Sequence, residues 1–254
     1  MHMKAEAITI SPEDFNSNRP LVMKLLKQYG VIRVPGYYGG EDLQGLNAEF
    51  NRLLECKEPY LKRMDYSVGK GSSVAGSALD KTDYPYTWKT YHAPFMNEIV
   101  SEYFERTDVN PVLGIYFVLD VVGSAHHAQN LHFDVERSLK YFIYLTDTST
   151  QNGAFVCAPG SKTVSDSIRK KYVGKINYDN RELSRDLPFT EEEMVAVEGS
   201  AGTLIVFDTD VFHKTGNVVS GERRVMRSFS TIVSVPMVKS EAPKKSFLQR
   251  IFGK

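Results

Sequence analysis

The chain reads as mainly β: a double-stranded β-helix core of the jelly-roll or cupin-like kind, with α-helices flanking it on the N-terminal side. Three observations point there. Strand-like runs rich in Val, Ile, Tyr, Phe and Leu recur from residue 111 nearly to the end, separated by Gly and Pro. Amphipathic helical patterns are confined to the first hundred or so residues, apart from one insert at 161–172 and the tail at 244–254. Within the β-rich part, His132-Phe133-Asp134 is answered by His213 just beyond another strand-like run, a separation that closing sheets can bridge.

In chain order, residues 5–10 alternate weakly and suggest a short opening strand. Residues 19–30 form an amphipathic helix with Pro20 in its first turn and Gly30 past its end. Residues 31–34 follow as a strand closed by Pro35-Gly36, and a second helix over 41–56 carries Leu43, Leu46, Phe50, Leu53 and Leu54 at helical spacing. From 57 to 93 no period holds; glycines and serines precede Tyr84, Tyr86, Trp88 and Tyr91. A loop that long is read either as a lid over a pocket or as a surface segment with its aromatics packed down. Residues 94–106 are helical, and strands follow at 111–122, 139–145, 154–157, 194–197, 203–207 and 225–235. The expectation is one domain over 1–254: helical cladding and a lid loop over 1–110, the jelly-roll core over 111–235, and a basic amphipathic tail over 236–254.

Composition narrows the function. Lys plus Arg and Asp plus Glu number 31 each, a formal net charge of +0 in 254 residues. No global basic field exists to recruit nucleic acid, so none is expected as a partner. Cys56 and Cys157 match no disulfide or metal spacing, which suits a reducing cytoplasm with both thiols free. The first eleven residues show no signal-peptide pattern and no run reaches membrane-spanning length, so the expected localisation is cytoplasmic. The tail, 244–254, would place Phe247, Leu248, Ile251 and Phe252 on one helical face among cations. It is read as a helix packed on its own barrel or a frayed terminus, with a peripheral membrane or partner contact as the alternative.

The chemistry sits in the middle of the chain. On a strand, His132 and Asp134 point to the same face. Two such ligands hold two cis positions of an octahedral metal, and His213 is the natural third, leaving positions open for substrate. About ten residues beyond His213, Arg223 and Arg224 can reach back into a barrel, where a guanidinium fork suits a carboxylate. Being adjacent on a strand they face opposite ways, so one of them alone can serve. His92, His126 and His127, Asp208 and Asp210, Cys157 and Arg227 read as ordinary surface, turn, core or salt-bridged positions.

With this company the sequence resembles the iron(II)- and 2-oxoglutarate-dependent oxygenases of the phytanoyl-CoA dioxygenase-like branch. The resemblance rests on His132-Phe133-Asp134, Asp147 with Asn152-Gly153, Pro159-Gly160-Ser161-Lys162, and His213, Asn217 and Arg223, in that order over residues 111–235. Lys162 stands where the family has a histidine, and one residue is missing between His213 and Asn217. Counting from Asn217 selects Arg223 as the cosubstrate arginine; counting from His213 selects Arg224. The resemblance implies that His132, Asp134 and His213 hold Fe(II) and are the catalytic constellation. It implies that 2-oxoglutarate chelates the metal with its far carboxylate on Arg223, assisted by Thr215, and that O2 is the co-reactant. Decarboxylation to succinate and CO2 would drive oxidation of a small-molecule substrate, lipid- or glycan-linked compounds included. Halogenating relatives have a small residue in place of the carboxylate, so Asp134 implies hydroxylation. The rival readings are a non-catalytic metal- or ligand-binding jelly roll and a cupin-like metal isomerase.

Overall fold

The computed structural model describes residues 4–55, 57–64, 68–125, 127–171 and 189–232. Cys56, His126, the far end of the last expected strand and the C-terminal tail lie outside them.

The N-terminal part is helical for local reasons. Ser11 accepts a bond from the Asp14 amide to cap α1 (Pro12–Ser17), and Asn18 does the same through Leu21 for α2 (Arg19–Tyr29). Gly30, at φ +70°, ends α2 and turns the chain into β1 (Val31–Val34). A Cβ there would come within 2.3 Å of Val211 as well as straining the backbone. Next comes α3 (Gly40–Glu55). The expected opening strand is instead a 3-10 turn, Ala5–Ile8; Thr9 forms an isolated bridge to Arg33 of β1, and the Ile10 amide donates to Arg33 O at 3.0 Å.

The segment read either as a lid over a pocket or as a surface segment with its aromatics packed down is largely regular. It contains β2 (Leu61–Met64), β3 (Lys70–Ala75) and α4 (Pro85–Tyr91). Tyr84 and Tyr91 are buried with Tyr86 and Trp88 packed beside them, all in the helix-side core. Glu49 of α3 accepts the amides of Tyr86 and Thr87 and so caps α4. Sequence reading missed this because Gly69, Gly71 and the serines weaken the strand signal, whereas pairing to a long neighbour decides the outcome.

After α5 (Pro94–Phe104) come β4 (Val109–Val121), β5 (Ser138–Tyr144), β6 (Phe155–Cys157), α6 (Lys162–Lys171), β7 (Val195–Val197), β8 (Leu204–Asp208), β9 (His213–Thr215) and β10 (Glu222–Ile232). Seven strands form an antiparallel sheet in the order β1-β8-β5-β10-β4-β3-β2, and three form a second, β7-β6-β9. The sequence order within the large sheet is crossed over, as a jelly roll requires.

Two cores result. On one face of the large sheet Val206, Met226 and Phe117, with Leu139, Tyr141 and Ile143, meet Leu26, Phe50, Leu53 and Ile99 of the helices. On the opposite face Val118, Phe142, Tyr144, Ile205, Phe207 and Val225 meet Phe155, Cys157, Val195 and Val197 of the small sheet. The second set is the interior of the double sheet. Cys157 belongs to it, and burial pushes its thiol pKa up, so it stays an inert small hydrophobe.

Candidate metal centre

His213 opens β9, and its main chain exchanges both hydrogen bonds with His132, His132 N–H to His213 O at 3.0 Å and the reverse at 2.7 Å. The His-x-Asp segment therefore lies as one further rung beside the small sheet. It is not a regular strand, as expected from spacing, but an isolated bridge followed by a bond from the Asp134 amide to Thr209 O. The alternation survives: Phe133 turns away into a buried pocket with Phe212, while His132 and Asp134 turn together towards His213.

One ligand atom from each of the three residues lies within 4.8 Å of the others. Asp134 Oδ1 is 3.6 Å from His132 Nε2 and 3.9 Å from His213 Nε2. Each histidine donates from Nδ1 to the carbonyl two residues before it, Asn130 for His132 at 2.6 Å and Val211 for His213 at 2.7 Å. A carbonyl only accepts, so the proton is fixed on Nδ1 and the Nε2 lone pair is presented inward. Burial and the nearby His132 push the His213 pKa down to about 3, so that ring is neutral at physiological pH, as a metal ligand must be. Burial works against ionising Asp134, but the Lys140 ammonium, His213 and His132 outweigh it and hold its carboxyl below the usual range. Two imidazoles and a carboxylate on one side of a small space fit a divalent transition metal.

Residues outside this trio hold it in place. Lys140, the lone charge in the apolar run of β5, sits 2.5 Å from Asp134 Oδ2 and leaves Oδ1 to the histidines. Arg169 of α6 donates to the carbonyls of Asp134 and Val135 and to Asp210, and lies over the Phe133 ring. Ser161, in the Pro159-Gly160-Ser161 turn, accepts from the Phe212 amide, and Ala158 donates to Phe212 O, so this turn braces the approach to His213. Lys162 lies beside Asp208 and over the Tyr103 ring, away from the three ligands. Sequence reasoning did not assign Lys140, Arg169 or Asp120; an isolated charge on the inward parity of an apolar strand was the signal for Lys140 and Asp120.

The two arginines part as their adjacency demands. Arg223 is 2% exposed and faces the interior of the double sheet with Val225; Arg224 faces the helices and donates to Glu222 and Asn51. Arg223 donates Nε–H and one Nη2–H to Asp120 of β4, and one Nη1–H to Gly153 O at 2.6 Å. Gly153, at φ +90°, can aim that carbonyl where a side-chain-bearing residue would be strained. Three of five N–H groups are thus used; one on each Nη remains for a carboxylate. Thr215 shares the inward face of β9 with His213 and is buried. His92 is exposed and stacked on Trp88, apart from this group. Arg227, expected to be solvated or salt-bridged, instead lies half-buried on the Arg223 face, over the Tyr116 ring.

With this geometry in hand, comparison with known proteins is informative. The family model described as Phytanoyl-CoA dioxygenase (PhyH) matches residues 26–226. No curated protein sequence matches. Among solved structures, HygX from Streptomyces hygroscopicus, with nickel and 2-oxoglutarate bound, is 14% identical with a TM-score of 0.55, over 83% of this chain and 86% of that one. SnoN, an α-ketoglutarate-dependent epimerase of nogalamycin biosynthesis, is 16% identical at TM-score 0.58, over 87% and 88%. SnoK, a carbocyclase of the same biosynthesis, is 17% identical at 0.58, over 91% and 86%. At these identities the likeness is one of fold.

Proposed function

Because the chain belongs to the phytanoyl-CoA dioxygenase family of Fe(II)- and 2-oxoglutarate-dependent enzymes, we propose that it hydroxylates a small molecule, with release of succinate and CO2. The observation that carries the reading is the convergence of His132, Asp134 and His213 with an inward-facing Arg223 in the same double sheet. In this reading Nε2 of both histidines and Oδ1 of Asp134 hold Fe(II). Iron and 2-oxoglutarate, when bound, would supply the activation of O2, which is the oxidant, with 2-oxoglutarate giving up two electrons as it becomes succinate and CO2.

The protein's own share is positioning. Lys140 occupies the second carboxylate oxygen and so favours single-oxygen ligation by Asp134. The two Nη–H groups left on Arg223 receive the far carboxylate of 2-oxoglutarate, with the Thr215 hydroxyl on the same side. Asp120 keeps that guanidinium from turning. Phe207 and Phe155 pack against the His213 ring and keep water from it. Asp134 supports hydroxylation over halogenation, since the carboxylate fills a position that a halide would need. The named occupants of solved neighbours, hygromycin B with HygX and nogalamycin RO with SnoN, support a small-molecule substrate. Since SnoN and SnoK are an epimerase and a carbocyclase, stereochemical inversion or ring closure is the second reading of the outcome.

The test is Fe(II)-dependent conversion of 2-oxoglutarate to succinate in air. Wild type should form succinate above a metal-free control, and Asp134→Ala and His213→Ala should not. Equal succinate from all three would contradict the proposal.

A further inference from the structure

We infer that an oxyanion-binding subsite for the substrate lies along one rung of the large sheet, formed by Arg227, Tyr116, Ser73 and Lys62; it rests on the oxygenase reading above. The register places these residues side by side: Arg227 opposite Tyr116, Tyr116 opposite Ser73, and Ser73 opposite Lys62. Residues directly opposite share a face. Arg227 has the parity of Arg223 and Val225, so this is the interior face, the one that carries the metal centre.

The rung is graded in exposure. Arg227, Tyr116 and Ser73 are half-buried and Lys62 is exposed. β3 and β2 are the last two strands at one end of the large sheet, and Lys62 on β2 is exposed. The metal is close by. Lys140, which touches Asp134, pairs with Phe229, two residues from Arg227 on the same face, so the two cations are diagonal neighbours about 7–8 Å apart at Cβ. Arg223 is four residues away, about 13 Å along the strand, which separates this rung from the cosubstrate carboxylate.

Charge accounting singles the rung out. Lys140 has Asp134, Arg223 has Asp120, and Arg224 has Glu222. Arg227 has only the Tyr116 ring, its guanidinium carbon 5.2 Å from the centroid, and neither it nor Lys62 meets a carboxylate among the described residues. A half-buried guanidinium without an anion is held at a cost in desolvation, which a bound anion would relieve. A guanidinium held over the Tyr116 ring offers the planar donor fork that suits a phosphate ester or carboxylate. Ser73 adds a hydroxyl and Lys62 a second cation on the same row. The substrate class is therefore a small molecule with an oxyanionic group placed close to the carbon that is oxidised.

The experiment titrates the anaerobic Fe(II)·2-oxoglutarate protein at low ionic strength with phenyl phosphate, benzoate and phenol, by calorimetry. Either or both anions should bind saturably, identifying which oxyanion is preferred, and phenol should not. Arg227→Met and the exposed Lys62→Glu should each weaken that binding by about tenfold or more, and Arg227→Lys should recover part of it. Affinity for 2-oxoglutarate should stay within about twofold in all three variants. No anion binding in the wild type, equal binding in Arg227→Met, or an equal loss of 2-oxoglutarate affinity there would overturn the inference. Arg227-dependent anion binding in a protein that fails to bind 2-oxoglutarate would support the subsite while removing the oxygenase reading.

Discussion

The side chains of the metal centre are set by what their far atoms touch. Nδ1 of each histidine is tied to a carbonyl, and one Asp134 oxygen is tied to Lys140, so what faces inward is chosen before any ion arrives. The same logic separates Arg223 from Arg224. Arg223→Lys keeps a charge beside Asp120 but loses the planar fork, and should raise the dissociation constant for 2-oxoglutarate by about tenfold or more. Arg224→Met removes an outward guanidinium and should change it by less than about twofold; a larger loss in Arg224→Met than in Arg223→Lys would reverse the assignment. At this scale the grouping of His132, Asp134 and His213 was legible because a spacing of two and a downstream histidine are properties of the sequence itself. The choice between adjacent arginines was not, since it depends on which face of β10 closes on the small sheet.

Among the elements, α6 does more than cover a sheet. Its Arg169 holds two carbonyls of the His-x-Asp segment and Asp210 as well, so the helix is a clamp on a ligand loop that has no ladder of its own. Arg169→Met should weaken iron binding by roughly 10–100-fold while leaving the ligands in place, as loss of supporting contacts typically does; unchanged affinity would show the clamp to be idle. Asp210 sits in that clamp, fully buried beside Asp208, with Arg169 and Arg137 against it. Burial and the Asp208 charge push its pKa up to about 6, past what the two arginines restore. Between the ordinary carboxyl range near 4 and about 6 the folded state then binds more protons than the unfolded state, so this group's contribution to stability falls as pH rises through that window. Relative to Asp210→Asn, the wild type should therefore lose stability from about pH 4 to pH 6.5 in denaturant titrations. A difference that is flat, or that grows with pH, would contradict this. The helix pattern of α2, α3 and α5 was legible from period, caps and Gly30. The β2–β3 extension was not, because its strand character comes from pairing with β4 and not from its own small residues.

The whole molecule is two sheets sharing one apolar interior, and the His213 ring is part of that packing. Phe207 lies between Phe142 and Phe155 and against His213. Phe207→Ala should cost about 3–5 kcal/mol of stability, from lost burial and the cavity left, and should weaken iron binding with it. Stability loss with full metal affinity would mean that core and site are independent. The jelly-roll class was readable because many short strand-like runs recur with Gly and Pro between them; the crossed order of the strands is a property of closure and is written in no single segment.

The central claim is that one iron, one 2-oxoglutarate and these four side chains make a single centre. It is tested most directly by anaerobic titration of the Fe(II)-loaded protein with 2-oxoglutarate, following the weak visible charge-transfer band of the chelate. The account predicts a saturable band in the wild type, none in His132→Ala, and a shift to about tenfold or more higher cosubstrate in Arg223→Lys. Bound iron with no band in the wild type would contradict it.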